Sequence, residues 1–237
     1  MRALIGRYPA TIVSTVAVTI AFALQWSLPL VPLLERDGAA IADGQWWRIL
    51  TSFLVQGSGW GQYLFNTLGL LVVGGAVERT RGTGWWLAAA LGAQVVTSLI
   101  VLAWDPGTRD SGSSLVVSGL VGVLAVTRFV SPTGWAVTAA GYRVFFVTYL
   151  LTLALAGPVA GAVAGSVVTG VGVSLVLRSH FAPWSLTTIL VIVVGAAVGL
   201  AITRDAHGVA VLVGLAIALL GGLVTRRRIS GRSGARP

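Results

Sequence analysis

Residues Trp85–Trp104 read WWLAAALGAQVVTSLIVLAW, a stretch of twenty residues without a formal charge. A helix that crosses the hydrocarbon core of a bilayer needs about 20 mostly apolar residues, which is the length of this stretch. The whole chain is similar in character, with 56% hydrophobic residues, 10% charged residues and a mean hydropathy of +0.90. Water-soluble domains carry roughly 25% charged residues. The sequence therefore predicts an all-α, polytopic transmembrane helix bundle with no room for a separate soluble domain.

Seven further mostly apolar stretches flank this one, so the sequence predicts six to eight spanning helices. The stretch that begins at Leu115 is short, and only Gly157 and Pro158 separate the fifth stretch from the sixth. Because two antiparallel helices normally need a loop between them, we expect one helix of that pair to be broken, re-entrant or shortened. The seven stretches are Ala10–Leu34, Ile49–Val77, Leu115–Thr127, Trp135–Ala156, Pro158–Leu177, Trp184–Thr203 and Gly208–Thr225.

The formal net charge is +9, and every basic side chain apart from the two histidines is an arginine. The arginines lie mainly at segment ends, which is typical of membrane topology rather than of nucleic-acid binding. If the amino terminus is cytoplasmic, the inward connections carry only arginines, whereas the outward connections are mixed in sign. The positive-inside rule then predicts that both termini are cytoplasmic. The inward arginines are Arg79, Arg81, Arg128, Arg143 and Arg178.

Residues 1–237 are predicted to form a single transmembrane domain, with a core at about 10–225 and a basic cytoplasmic tail at 226–237. The lack of lysine and the abundance of Ala, Gly, Val and Arg are typical of a high-GC bacterial genome, which predicts the bacterial plasma membrane as the location. The chain has no cysteine, and its two histidines have no carboxylate cluster beside them in the sequence. We therefore expect no metal site and no cofactor.

Three segments of the first half of the chain carry a family resemblance. They are the Trp47-Arg48 pair within Gly44–Phe53, the run Gln62-Tyr63-Leu64-Phe65-Asn66, and Gly74–Glu78. Together they resemble the rhomboid family of intramembrane serine proteases. That family has a Trp-Arg motif in the first outer loop, and its second helix opens with His-x-x-x-Asn and closes with Gly and Glu. Gln62 stands where the family has the histidine.

The resemblance continues through Gly112–Gly122, since rhomboids carry Gly-x-Ser-Gly at the start of the fourth helix. Here Gly112-Ser113-Ser114-Leu115 matches except that Leu115 replaces the second glycine, and Gly119 and Gly122 match the glycines that follow. Ser114 is the best candidate nucleophile because it begins an outside-to-inside helix at a depth that water reaches. The Leu115 side chain is expected to push the catalytic pair apart.

Ser118 is the reserve nucleophile. It lies four residues after Ser114, on the same face of the helix and one turn deeper, and Gly119 follows it directly. Against this assignment, Val116 stands where the motif has its first glycine.

Two positions compete for the family histidine, which is followed by small residues three and seven positions on. His207, with Ala210 and Gly214 after it, fits this pattern. Pro158, with Gly161 and Gly165 after it, fits the spacing but supplies no base. If the second alignment holds, the general base is missing and His207 lies on an additional helix. A separate alternative is that His207 is a solvated loop residue beside Arg204 and Asp205. The other histidine, His180, lies on the predicted cytoplasmic side.

Ser114 and His207 both begin helices that run inward, so similar depth is expected for the two side chains, as a Ser–His hydrogen bond requires. The rhomboid resemblance implies that Asn66, the backbone N–H of Ser114 and the side-chain amide of Gln62 form the oxyanion hole. Arg48 is expected to fix the outer loop by pairing with Glu35 or Asp43.

The resemblance implies a rhomboid-like core of about six helices, with one or two additional ones, and an intramembrane serine protease. Such an enzyme cleaves transmembrane helices of client proteins with Ser114 and His207. The alternative is a catalytically inactive rhomboid-like protein that binds membrane clients. Both readings take transmembrane proteins and the lipid bilayer as partners, and neither involves nucleic acid. A transporter or channel is disfavoured because the acidic residues lie in predicted loops and at helix ends.

Overall fold

The computed structural model describes residues 8–127, 134–178 and 184–233, and these are helical apart from their connections and one short antiparallel pairing. This confirms the predicted all-α class. The pairing joins β1 (Arg36–Asp37) to β2 (Arg109–Asp110). The helices are α1 (Pro9–Leu24), α2 (Leu30–Leu34), α3 (Gly38–Ala42), α4 (Arg48–Thr51), α5 (Trp60–Gly69), α6 (Gly75–Arg81), α7 (Thr83–Trp104), α8 (Ser114–Ala125), α9 (Gly134–Ala156), α10 (Pro158–Arg178), α11 (Trp184–Ile202) and α12 (Ala206–Ser233).

Two helices within the described residues are long and apolar enough to cross a membrane. They are α7, with 22 residues, and the Val137–Ala156 part of α9, with 20 residues. Helix α7 contains the predicted stretch Trp85–Trp104 and starts two residues before it. Further apolar helices of 10–17 residues lie in α1, α8, α10, α11 and α12.

The stretches Ala10–Leu34 and Ile49–Val77 were each predicted to form one helix. In the structure each stretch is divided into separate helical segments. Helix α1 ends at Leu24, and Pro29 precedes the short helix α2. Between α4 and α5 the chain follows an irregular path to Gly59, whose φ of +74° is a conformation that favours glycine. Helix α5 then continues into α6 through a π-helical turn at Leu70–Gly74.

The hairpin between α9 and α10 does not need a loop. Gly157 alone separates the two helices, and its φ of +85° lies in the left-handed region. Helices α9 and α10 have 23 and 21 residues and pack against each other. The expectation that one of them is broken or shortened was therefore wrong, because a single glycine reverses the chain.

The connections that carry β1, β2 and α4 are held together by ion pairs and by Arg48. Arg36 is buried and lies 3.0 Å from Asp110, while Arg109 lies 2.6 Å from Asp37. Arg48 does fix the loop, but it donates to Gln45 Oε1 at 2.7 Å and to the carbonyl oxygens of Pro32 and Glu35 at 2.9 and 3.1 Å. Arg48 therefore pairs with Glu35, one of the two predicted partners, but through the Glu35 backbone carbonyl and not as an ion pair.

Helix α8 lies at the centre of the bundle, and every residue from Leu115 to Ala125 is buried. Its 12 residues span about 18 Å, less than the hydrocarbon thickness of roughly 30 Å. Arg143, buried in α9, donates to the Leu124 carbonyl near the far end of α8. Arg143 was predicted to lie in an inward connection; instead it is inside a helix, where its charge meets the negative end of the α8 dipole.

The predicted basic tail begins inside α12, which continues to Ser233. Residues 234–237 lie outside the described residues. The same holds for Arg128 and His180.

Candidate active site

Ser114 and His207 are hydrogen-bonded. His207 Nε2 lies 2.9 Å from Ser114 Oγ, although 93 residues separate the two positions in the chain. Ser114 is the first residue of α8, and His207 is the second residue of α12. The His207 side chain is 22% exposed, so the pair is only partly buried. A hydroxyl donating to an imidazole nitrogen at this distance is the arrangement that nucleophilic catalysis requires.

Glycines on two helices allow this close approach. Helices α8 and α12 pack along each other, and a Cβ atom at Gly214 of α12 would overlap the Gly119 carbonyl of α8. A Cβ atom at Gly122 would likewise overlap the Val211 carbonyl. Small residues let helix backbones approach closely in a membrane, where packing drives association. The glycines therefore bring α12 near enough for His207 to contact Ser114.

Leu115 does not separate the pair. Its side chain is 3% exposed and packs with Ala93 of α7 and Ala210 of α12, with Ala206 beside them. Because alanine side chains are small, they leave space for the Leu115 side chain at the position where the rhomboid motif has glycine. The expectation that Leu115 wedges the two groups apart was wrong, because small partners on both neighbouring helices accommodate it.

Ser118, the reserve nucleophile, is fully buried and donates to the Ser114 carbonyl at 2.8 Å. This bond to the residue four positions earlier is the usual arrangement of a serine within a helix. In contrast to Ser118, Ser114 bonds to the imidazole.

Gln62 and Asn66 of α5 lie beside the turn that leads to Ser114. A Cβ atom on Gly112 would lie 2.5 Å from Gln62 Nε2 and 3.2 Å from Asn66 Nδ2, and Gly112 has a φ of +125°. Both features require glycine there. Gln62 Nε2 donates to the Ser111 carbonyl at 2.6 Å. The Gln62 amide therefore bonds to the turn that leads into α8, and the Asn66 amide lies beside that turn.

Gln56 is a site residue that the sequence analysis missed. It is fully buried, its Oε1 accepts from Asn66 Nδ2 at 2.8 Å, and its Nε2 lies 3.4 Å from Ser113 Oγ. Its backbone N–H and carbonyl both bond to the Gln25 amide, at 3.2 and 3.1 Å. Gln56 thus links Gln25, directly after α1, with Asn66 and with the residue before Ser114. A neutral amide in an irregular connection gave no motif by which to find it.

Asp205 was noticed only as a charged neighbour of His207. Its Oδ1 lies 2.7 Å from His207 Nδ1 and also accepts from the His207 backbone N–H at 2.8 Å. Burial tends to raise the pKa of the Asp205 carboxyl, but the hydrogen bonds and charge of His207 outweigh it and hold that pKa below its usual range. When the imidazole is neutral and carries its proton on Nδ1, the carboxylate accepts from Nδ1–H and Nε2 faces Ser114 as an acceptor.

Pro158, the competing position, begins α10 and is exposed. Helix α10 packs mainly against α9, whereas α12 packs against α8. The imidazole near Ser114 is therefore supplied by α12.

Comparisons with known proteins concern the part of the chain that carries Ser114. The Rhomboid domain family matches residues 43–180, which include Gln62, Asn66 and Ser114 but not His207. Rhomboid protease GluP of Bacillus subtilis (strain 168) is 36% identical over 95 residues, which cover 40% of this chain and 18% of that protein.

Putative rhomboid protease YdcA of the same organism is 29% identical over 84 residues, which cover 35% of this chain and 42% of that protein. The chain thus spans less than half the length of either curated relative. The family match itself covers more than half of this chain. The chain belongs to the rhomboid family.

Proposed function

We propose that this rhomboid is an intramembrane serine endopeptidase with Ser114 as nucleophile and His207 as general base. The single observation that carries the proposal is the 2.9 Å contact between Ser114 Oγ and His207 Nε2. Both curated relatives are named as rhomboid proteases, one of them putatively. A positioned base activates a serine hydroxyl that is otherwise a weak nucleophile.

In the proposed reaction, Ser114 Oγ attacks the carbonyl carbon of the scissile peptide bond while His207 Nε2 takes the hydroxyl proton. The tetrahedral intermediate collapses with cleavage of the C–N bond, and the protonated imidazole gives its proton to the leaving amine. Water then attacks the acyl-serine ester, again with His207 as base. This step releases the new carboxyl terminus and restores the Ser114 hydroxyl.

The oxyanion donors in this proposal are Asn66 Nδ2, the backbone N–H of Ser114 and the Gln62 amide. Asn66 has two amide hydrogens, and its bond to Gln56 uses one of them. The Gln62 amide donates to the Ser111 carbonyl and likewise retains a second hydrogen. An amide N–H stabilises an oxyanion as a histidine N–H does, so Gln62 is compatible with catalysis.

The proposed setting is a bacterial plasma membrane, with residues 1–237 as one transmembrane domain and both termini in the cytoplasm. The six-helix core consists of α1, the combined α5–α6 helix, α7, α8, α9 and α12. Helices α10 and α11 are the two additional ones. The proposed substrates are transmembrane helices that enter from the lipid and unwind at the level of Ser114. In this proposal water reaches the site along the partly exposed side of His207.

A second candidate function, a client-binding rhomboid without proteolytic activity, is favoured by one observation. Both proposed side-chain donors of the oxyanion hole, Asn66 and Gln62, already donate to protein oxygens. If neither amide turns toward a substrate, the Ser–His pair lacks the side-chain part of its oxyanion stabilisation.

Labelling of the purified chain with a serine-reactive fluorophosphonate separates these functions. The protease predicts a covalent adduct that disappears in Ser114→Ala and in His207→Ala but persists in Ser118→Ala, the matched serine one turn deeper. Failure of the unmodified protein to form the adduct favours the client-binding function. Labelling that is lost only in Ser118→Ala assigns the nucleophile to Ser118 instead.

A further inference from the structure

The connection between α11 and α12 carries a carboxylate directly to the imidazole. Arg204, in that connection, has a φ of +59°, which is uncommon for a residue other than glycine. Asp205 follows it and immediately precedes the first residue of α12. Its Oδ1 accepts from the His207 backbone N–H at 2.8 Å and lies 2.7 Å from His207 Nδ1. One oxygen thus caps the helix and contacts the ring.

We propose that Asp205 is a positioning residue that completes a Ser114–His207–Asp205 triad. This inference rests on the proposed protease function. The carboxylate would hold the ring proton on Nδ1, so that the Nε2 lone pair faces Ser114 Oγ at 2.9 Å. It would also stabilise the imidazolium that forms when the serine proton is transferred. Because it acts through His207, Asp205 does not itself touch the substrate.

Other charged groups act on His207 from the outer connections. Asp110 of β2 and Arg36 of β1 influence the imidazole from a distance, with opposite signs. They lie 3.0 Å from each other and so partly compensate. Asp205 is therefore the carboxylate in direct contact with the ring, and the acid limb of the pH–rate profile should respond mainly to it.

Substitution can separate two functions of Asp205, the capping of α12 and the positioning of the His207 ring. Asparagine and serine are both good N-cap residues, so Asp205→Asn and Asp205→Ser retain the cap on α12. Neither carries the negative charge that stabilises an imidazolium. If Asp205 serves only the helix, both variants behave as the unmodified protein does. If it positions and polarises His207, both lose activity while the fold remains.

The experiment measures the rate of fluorophosphonate labelling of the full chain in detergent micelles, across the pH range in which histidine titrates. For both variants we expect a loss on the order of 10²- to 10⁴-fold, as for an analogous Asp→Asn change in a soluble serine protease. We also expect the acid limb of the profile to move to lower pH, because the imidazole loses the charge that favours its protonated form. Asp205→Glu should recover part of the rate.

Asp105→Asn is the matched control, because Asp105 Oδ1 also accepts from the backbone N–H two residues on, that of Gly107 at 3.1 Å. It should label as the unmodified protein does. Ser114-dependent labelling that keeps its rate and pH profile in Asp205→Asn and Asp205→Ser overturns the triad and leaves the Ser–His protease standing. Absence of Ser114-dependent labelling in the unmodified protein overturns both.

Discussion

Asn66 Nδ2 donates a 2.8 Å hydrogen bond to Gln56 Oε1, which fixes the amide of Asn66 beside the turn that leads to Ser114. Asn66 is 1% exposed and its Oδ1 has no partner among the described side chains and backbone. A buried amide is costly unless it is bonded. Gln56 therefore sets its orientation, and the remaining amide hydrogen is the one that the proposed mechanism assigns to the oxyanion.

We predict that Asn66→Ala lowers kcat for cleavage of a transmembrane substrate by about 10²- to 10³-fold, with KM little changed. The reason is that an oxyanion donor acts in the transition state rather than on the bound substrate. Steady-state kinetics in proteoliposomes measure both parameters. A variant with an unchanged kcat would remove Asn66 from the oxyanion hole.

Gln56→Leu should slow the same reaction through Asn66, since it removes the acceptor that holds the amide. It should also lower the free energy of unfolding by about 1–3 kcal/mol, because the Asn66 amide loses a buried partner. Gln25→Leu is the control. The Gln25 amide bonds to the backbone of Gln56, so this substitution leaves the Gln56 side chain in place. Equal kinetic losses in the two variants would show that only the loop, and not the Gln56 amide, matters.

Gly214→Ala should reduce both thermal stability and activity. A Cβ atom at this position overlaps the Gly119 carbonyl, so α12 must move away from α8 and carry His207 from Ser114. Such overpacking costs roughly 1–3 kcal/mol. Gly222→Ala, on the same helix with no atom within 4 Å of the added Cβ, should be neutral or slightly stabilising, because alanine favours helix. Thermal denaturation in detergent compares the two, and a stabilised Gly214→Ala would contradict the glycine contact.

Leu115→Gly, which installs the residue typical of the family, should harm this protein rather than improve it. The Leu115 side chain fills the space between Ala93 and Ala210, so truncation leaves a cavity. Leu115→Ala alone should cost about 2–5 kcal/mol of stability. Leu99→Ala, at a side chain that is 48% exposed, is the control and should cost much less. Faster labelling together with unchanged stability in Leu115→Gly would show that Leu115 does obstruct the pair.

Hydropathy predicted the helices well where apolar runs end at charges or glycines, as at Trp104 and Gly157. It failed within Ala10–Leu34 and Ile49–Val77, because the irregular segments there carry no formal charge that would mark the end of a helix. Arg143 was predicted to lie in a connection because it is charged, yet it lies inside α9. A buried carbonyl at the end of the short α8 helix binds the guanidinium, and no local pattern reveals such a distant partner.

For the candidate site, too, some residues were predicted from the sequence and others were missed. Ser114 and His207 were identified from motif spacing and shared depth, and these depend on the helices that carry them. Gln56 and Asp205 were missed as contributors, because their contacts arise from the path of irregular connections. The accommodation of Leu115 was also unpredictable from its own segment, since its alanine partners lie on α7 and α12.

Cleavage of a fluorescently tagged transmembrane helix by the purified chain in liposomes tests the central claim most directly. We predict that the unmodified protein yields two fragments cut within the membrane segment. Ser114→Ala and His207→Ala should yield none, and Ser118→Ala should retain cleavage. Cleavage that persists in Ser114→Ala at the unmodified rate would contradict the assignment of the 2.9 Å Ser114–His207 pair as the catalytic centre.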